Sequence, residues 1–348
     1  MSEDNKYMQR CLELAKKGIQ NVAPNPMVGC VIVHKGRIIG EGFHKKFGEA
    51  HAEVNAINSV KNTELLKEST LFVNLEPCSH HGKTPPCSDL IIENKIPKVV
   101  IGCQDIFEKV AGKGVEKLQN AGIDVKIGIL DEESLNLNRR FFTFHQHKRP
   151  YIILKWAETI DGYIDIDRND KETGISWITH PYLRIPVHKW RSEESGIIVG
   201  TKTALNDNPQ LNTRLWKGQN PIRFLIDKQL KLPRSLYLFD GEIPTYIFTS
   251  ESGIDKPNLT FIKIDFTKNI IPQMLEKMYD LGTLSLIVEG GRTIIQSFIE
   301  DDIWDEARVF VGNKTFGKGS KAPIIKKKMD SYHQFGEDRI LYFRNRKQ

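Results

Sequence analysis

Met8, Leu12, Ala15 and Ile19 recur at helical spacing, which predicts an amphipathic helix at the start of the chain, closed by the turn-forming stretch 18–24. The apolar run VGCVIV (28–33), the turn pair Lys35-Gly36 and RIIGEG (37–42) then predict a β-hairpin, and HAEVNAINSV (51–60) a helix. TLFVNL (70–75), KVVIGC (98–103) and DVKIGI (124–129) are apolar runs of strand length, separated by helical stretches that begin near Cys87 and Gly112. Strands alternating with helices make a layered α/β domain. From 130 to 149 the pattern turns polar and irregular, and Pro150 precedes a fresh strand, YIILKWA (151–157), so a boundary is expected within 145–150. The alternation resumes beyond it. GIIVGT, IRFLID, TYIFTS, LSLIVEG and EARVFVG are predicted strands, with helices around 180–193, 270–281 and 291–300. The expected organisation is two α/β domains, 1–146 and 150–348, with no internal repeat relating them.

Composition sharpens this picture. A chain of 348 residues exceeds one ordinary core, and 39% hydrophobic with 27% charged residues is the balance of a globular protein. A formal charge of +6, with basic residues scattered among acids, suits small anionic ligands better than a nucleic-acid lattice. Five cysteines, with no signal-like apolar segment at the start, argue against a disulfide scaffold and for a reducing, cytoplasmic setting. No stretch approaches the ~20 apolar residues of a membrane span.

Candidate chemistry is concentrated in HAE (51–53) and EPCSHHGKTPPC (76–87). A catalytic zinc takes three nitrogen or sulfur ligands and keeps one position open for water. His51, Cys78 and Cys87 supply such a set, and the metal would lower the water's pKa from about 15.7 toward ~7. Glu53 can face the site from a helix start as the proton shuttle of a zinc deaminase, whose signature is H-x-E followed by P-C-x-x-C. Here SHHGKTPP separates the two cysteines, so a bulge is expected to touch the substrate, with Pro85-Pro86 returning the chain stiffly to Cys87 at a helix start. Two plainer readings stand beside this one. The cysteines can be small buried hydrophobes with His51 a helix cap, or His80 or His81 can complete a structural zinc site. Cys11, Cys30 and Cys103 lie in apolar patterns and are expected in the core.

APNPMVGCVIV, HAEVNAI, NLEPCSHHGKTPPCSDLII, DGYID, WIT, VGTKTALNDNPQLNTR and VEGG, in this order over nearly the whole chain, closely resemble the bifunctional riboflavin-biosynthesis deaminase–reductase family. The resemblance implies a cytidine-deaminase-like three-layer N-terminal domain and a dihydrofolate-reductase-like α/β C-terminal domain. The first would use zinc on His51, Cys78 and Cys87, with Glu53 catalytic, to deaminate a diaminopyrimidinone carrying a phosphoribosylamino group; Asn25 and Lys83 would line its pocket. The second would reduce the ribosyl group to ribityl with hydride from NADPH. By the same resemblance Ala157, Trp177, Thr203, Asp207 and the run Gly290, Gly291, Arg292, Thr293 would contact the nucleotide, and Arg191, Leu211, Arg214 and Glu289 the substrate. A homo-oligomer acting on this small molecule, with no nucleic-acid or membrane partner, is expected.

The residues of the second half fit this in part. LIVEGGRTIIQSF (286–298) reads as a strand ending in Glu289, two glycines and a helix start, an arrangement that binds phosphates, with simple packing glycines as the plainer reading. Forked arginine donors suit a phosphate, although Arg191 at a helix end is also an ordinary charge placement. Lys155 and Asp161 in KWAETIDG either bracket the hydride acceptor or mark a solvated strand end. GKGSKA (317–322) nominally matches a dinucleotide fingerprint, but no strand leads into it and Pro323 follows, so a loop is expected. Three features depart from the family pattern: Ile175 in place of a serine, with Ser176 adjacent; Lys228 in place of a small hydroxyl residue; and a longer segment around RNDKETG. The competing classes are a nucleic-acid-editing deaminase, which needs a basic groove, and a non-catalytic zinc scaffold. Ammonia release from the free pyrimidine nucleotide, but not from RNA or DNA, separates them.

Overall fold

The helical spacing at the start becomes α1 (Glu3–Lys16), which buries Met8, Cys11, Leu12 and Ala15, while Ile19 falls in the turn beyond it. The computed structural model describes residues 2–79, 85–106, 112–168 and 174–346, and the chain divides into two units, Met1–His147 and Lys148–Gln348.

In the first unit the predicted hairpin is β1 (Gly29–His34) and β2 (Arg37–Phe43), followed by α2 (Ala52–Asn58), β3 (Thr70–Leu75), α3 (Cys87–Glu93), β4 (Lys98–Cys103), α4 (Lys113–Asn120) and β5 (Asp124–Ile127). The sheet order is β2-β1-β3-β4-β5, antiparallel about β1 and parallel from β3 to β5. Side chains alternate across it with the strand period of two. Cys30 and Ile32 pack with Ala52, Ala56, Ile91 and Leu118 under α2, α3 and α4, whereas Val31 and Val33 pack with Met8 and Cys11 of α1. Three layers result.

The stretch expected to be irregular is instead two helices, α5 (Asp131–Leu137) and α6 (Arg139–His147). Asp131, Glu132 and Glu133 occupy the first turn of α5, where carboxylates complement the helix dipole, and Phe142 of α6 is buried against Leu75 and Cys103. Each helix is too short for its apolar spacing to stand out in sequence.

The second unit contains β6 (Tyr151–Thr159), β7 (Tyr163–Ile166), α7 (Arg184–Glu193), β8 (Gly196–Gly200), α8 (Thr201–Asp207), β9 (Ile222–Ile226), β10 (Thr245–Thr249), β11 (Leu259–Lys263), α9 (Ile270–Asp280), β12 (Ser285–Glu289), α10 (Arg292–Glu300), β13 (Glu306–Gly312), β14 (Gly319–Lys321), β15 (Ser331–Phe335) and β16 (Asp338–Arg344). Nine strands form one sheet, β11-β10-β9-β8-β12-β6-β13-β16-β15, parallel until β16 pairs antiparallel with β13 and β15 with β16. The GKGSKA stretch is not a loop. It contains β14, which pairs antiparallel with β7. Inserting β12 between β8 and β6 brings the carboxyl ends of three strands together, the place where open parallel sheets bind ligands.

Gly42 on β2 sets how closely α2 approaches the sheet: a Cβ there would overlap backbone atoms of Ala52 and Ala56. Gly42→Ala is therefore expected to cost about 1–3 kcal/mol of stability through overpacking. Thermal unfolding with a two-unit fit, showing a lowered transition for one unit alone, checks this.

Candidate active sites

His51 occupies the N-cap position of α2 in extended conformation (φ −71, ψ 169), but its side chain makes no capping bond. Its Nδ1 lies 3.3 Å from Cys87 Sγ and 3.6 Å from Cys78 Sγ, and the three ligand atoms fall within 4.8 Å of one another. Tetrahedral zinc with Zn–N of about 2.0–2.1 Å and Zn–S of about 2.3 Å requires N···S edges of about 3.5–3.6 Å. The residues fit the metal. Cys87 begins α3 after Pro86, as the sequence suggested, and its N–H donates to Cys78 Sγ at 3.3 Å. The bonds from Cys87, then those from His51, bring the Cys78 thiol down to about 4. Cys87, as donor to Cys78, is pushed up. Cys11, Cys30 and Cys103 are buried free thiols, as expected of core residues.

Glu53, two residues on and 3% exposed, faces the same sulfurs. Burial first, then the Cys78 charge, raises its carboxyl to about 7. Lys83, His80 and His81 lie outside the described residues. Asn25 sits beside a residue that sequence reasoning missed: its Nδ2 is 3.1 Å from His44 Nε2, and His44 Nδ1 is 3.1 Å from Ala50 O. A carbonyl only accepts, so His44 carries its proton on Nδ1, and Nε2 accepts from the Asn25 amide. The His44 ring stands edge-on to His51 at 5.3 Å. Nothing in the pattern around His44, just past the end of β2, announces this role.

In the second unit a cleft of about 1180 Å³ opens at the carboxyl ends of β6, β8 and β12. Ala157, Trp177, Thr203, Asp207 and the turn Gly290, Gly291, Arg292, Thr293 line it, as do Arg191, Leu211, Arg214 and Glu289. Thr203 Oγ1 accepts from Gly291 N at 2.7 Å, tying α8 to the turn before α10. Glu289 is held by Arg191 Nη2 at 3.1 and 3.0 Å and by Lys155 Nζ at 2.9 Å. Burial works to raise its pKa, yet the two cations hold it down at about 2. Asp207 shifts the other way, to about 6, chiefly through burial. Two carboxyls of one cleft thus differ in proton affinity because of their surroundings.

Arg184 and His188 also line this cleft and were not singled out in sequence. The signal was available, since Arg184, His188 and Arg191 recur at i, i+4 and i+7 on one helix face. His188 is pushed down to about 4 by burial and by Arg191 and Arg214, and Arg214, exposed, bonds Asn212 Oδ1 at 2.9 Å. Arg184 lies over the Trp177 ring at 4.9 Å.

Other candidates fall differently. Asp161 accepts from Phe316 N and Gly317 N at 3.1 and 2.8 Å and shapes a turn outside the cleft lining. Ile175 does line the cleft, while the Ser176 hydroxyl is spent on Asp165 at 3.0 Å. Lys228 is not among the lining residues; its Nζ stands 5.6 Å from the Phe266 ring centre.

Residues 1–103 match the cytidine and deoxycytidylate deaminase zinc-binding region, and residues 150–338 the RibD C-terminal domain. Riboflavin biosynthesis protein RibD of Aquifex aeolicus is 37% identical over 98% of this chain and 98% of its own, and that of Bacillus amyloliquefaciens 40% identical over 92% and 86%. A solved diaminohydroxyphosphoribosylaminopyrimidine deaminase/5-amino-6-(5-phosphoribosylamino)uracil reductase from Thermotoga maritima superposes with TM-score 0.89 at 38% identity, covering 98% of each chain. With a metal triangle in its first unit and a charged cleft in its second, the chain belongs to the RibD family of bifunctional riboflavin-biosynthesis enzymes, a zinc-dependent deaminase domain followed by an NADPH-dependent reductase domain.

Proposed function

We propose that the first unit deaminates 2,5-diamino-6-(5-phosphoribosylamino)pyrimidin-4(3H)-one through His51, Cys78, Cys87 and Glu53, and that the second reduces the ribosyl group of the product. The observation that carries this reading is the His51–Cys78–Cys87 triangle with the buried Glu53 carboxyl beside it. Zinc, when bound there, supplies the Lewis acid that makes water nucleophilic at neutral pH. Glu53 takes the proton of the attacking water and returns it to the departing amine, and burial, which raises its carboxyl, favours its holding that proton between the two transfers. Asn25, its amide direction set by His44, meets the polar edge of the pyrimidinone ring. Lys83 is retained as a pocket residue on the resemblance alone.

In the second unit Ala157, Trp177, Thr203, Asp207 and Gly290 to Thr293 hold the nucleotide. NADPH, when bound, supplies hydride to the first carbon of the opened sugar. Lys155 and Glu289 orient that end of the substrate, Leu211 packs on it, and Arg191 and Arg214 receive the phosphate in a cleft that Arg184 and His188 also line. We further place the chain in the cytoplasm as a homo-oligomer without nucleic-acid partners. Five free cysteines suit a reducing compartment, and Tyr332 and Phe335 are exposed on the edge strand β15. Among the described residues, no helix is long and apolar enough to cross a membrane.

Glu53→Gln keeps the shape of the side chain but not its proton. It is expected to retain zinc by elemental analysis and to lose about 10²–10⁴-fold in ammonia release, with NADPH oxidation on deaminated nucleotide unchanged. Arg214→Ala should raise KM for the phosphorylated reductase substrate by roughly 10–100-fold, the scale of a lost charge-assisted bond. The same variant should handle a dephosphorylated substrate no worse than wild type does. The two domains are also proposed to work separately. A cut between Gln146 and Pro150 is expected to give an N-terminal piece that binds zinc and deaminates. The C-terminal piece should oxidise NADPH only with deaminated nucleotide, and a folded C-terminal piece that stays inactive until the other is added would refute this.

A further inference from the structure

Glu76, directly before Pro77-Cys78, is 4% exposed, and its carboxylate has no part in the proton transfers above. Four backbone N–H groups donate to it: those of Gly114 and Val115 to Oε1 at 2.9 and 3.3 Å, and those of Gly112 and Asp105 to Oε2 at 3.1 and 3.2 Å. Its own N–H donates to Cys103 O at 3.0 Å, carrying the β3–β4 ladder one residue past the end of β3. Gly112, at the N-cap of α4, has φ 77 and no side chain to cap the helix. Two orphan N–H groups of α4's first turn, those of Gly114 and Val115, are therefore satisfied by a carboxylate from the residue that follows β3. Gly114 closes the remaining side, because a Cβ there would overlap the Pro77 carbonyl oxygen and stand 3.1 Å from Glu76 Oε1. The backbone leading to Cys78 is gripped by the end of β4, by the Asp105 N–H and by α4.

We infer that Glu76 is a positioning residue of the metal centre, fixing the Cys78 ligand by pinning the Glu76-Pro77-Cys78 backbone between β4 and α4. A carboxylate suits the place because it accepts through two oxygens and donates nothing. A glutamine of the same shape turns its NH2 onto two backbone donors, leaving buried N–H groups unmatched. The segment then relaxes, and the sulfur two residues on loses its fixed direction. Groups that orient metal ligands typically change metal affinity by about 10–100-fold when altered. This inference rests on Cys78 being a zinc ligand.

The test uses the full-length protein with Glu76→Gln and Glu76→Asp. Zinc transfer to a chromophoric chelator, and the thiolate-to-metal absorption of the cobalt-substituted protein, report the ligand directly. NADPH oxidation on deaminated nucleotide reports folding of the other unit. The glutamine variant is expected to release zinc about 10–100-fold faster and to show an altered cobalt–thiolate band, with reductase turnover unchanged and the aspartate variant intermediate. A glutamine variant with wild-type release and a wild-type cobalt spectrum overturns the inference, even if its unfolding temperature falls. Should the glutamine protein not fold, the aspartate variant decides by the same two readouts. Wild-type protein that takes up no zinc would instead overturn the reading of the deaminase site itself.

Discussion

Two sulfurs, one imidazole nitrogen and a carboxyl crowd the same buried corner of the first unit, and their charges oppose one another. Cys78 settles low because its neighbours donate to it, Cys87 is pushed up as the donor to it, and Glu53 is pushed up first by burial and then by the Cys78 charge. A divalent cation relieves this conflict by accepting both thiolates. The surrounding fold serves that corner: α2 is drawn onto Gly42 to present His51 and Glu53, α3 opens at Cys87, and the loop after β3 delivers Cys78.

The second unit solves a different electrostatic problem. A buried carboxylate between Arg191 and Lys155 stays charged, whereas burial raises Asp207 in the same cleft to about 6, so it takes up a proton far more readily than Glu289 does. Arg191 is spent on Glu289 to a degree its sequence position does not reveal. The exposed Arg214 and the helix-face neighbours Arg184 and His188 line the same cleft.

Much of this was legible in the chain. His51, Glu53, Cys78 and Cys87 announce themselves because metal chemistry restricts both residue type and the local element, and the parallel strands do so because strands buried on both faces are continuous apolar runs. What escaped lacked such a signature. The helices α5 and α6 are short and bury few side chains; α8 is seven residues; and β15 is exposed along its whole length, so no apolar alternation marks it. His44 bonds an amide 19 residues away, and Asp161, which stood between bracketing the hydride acceptor and marking a solvated strand end, accepts from Phe316 and Gly317, partners that no local pattern announces.

The placement of β12 between β8 and β6 bears on how the reductase half comes into being. Lys155 and Glu289 are 134 residues apart in sequence, and Arg191 and Glu289 are 98 apart. Their meeting requires β12 to enter a gap between strands that precede it in the chain. Contacts of such long sequence separation form slowly. A ribosome-bound chain that has not yet released β12 carries Lys155 and Arg191 without the carboxylate that organises them. The charged centre cannot assemble before β12 takes its place between β8 and β6, and a chain ended ahead of β12 has no means of building it.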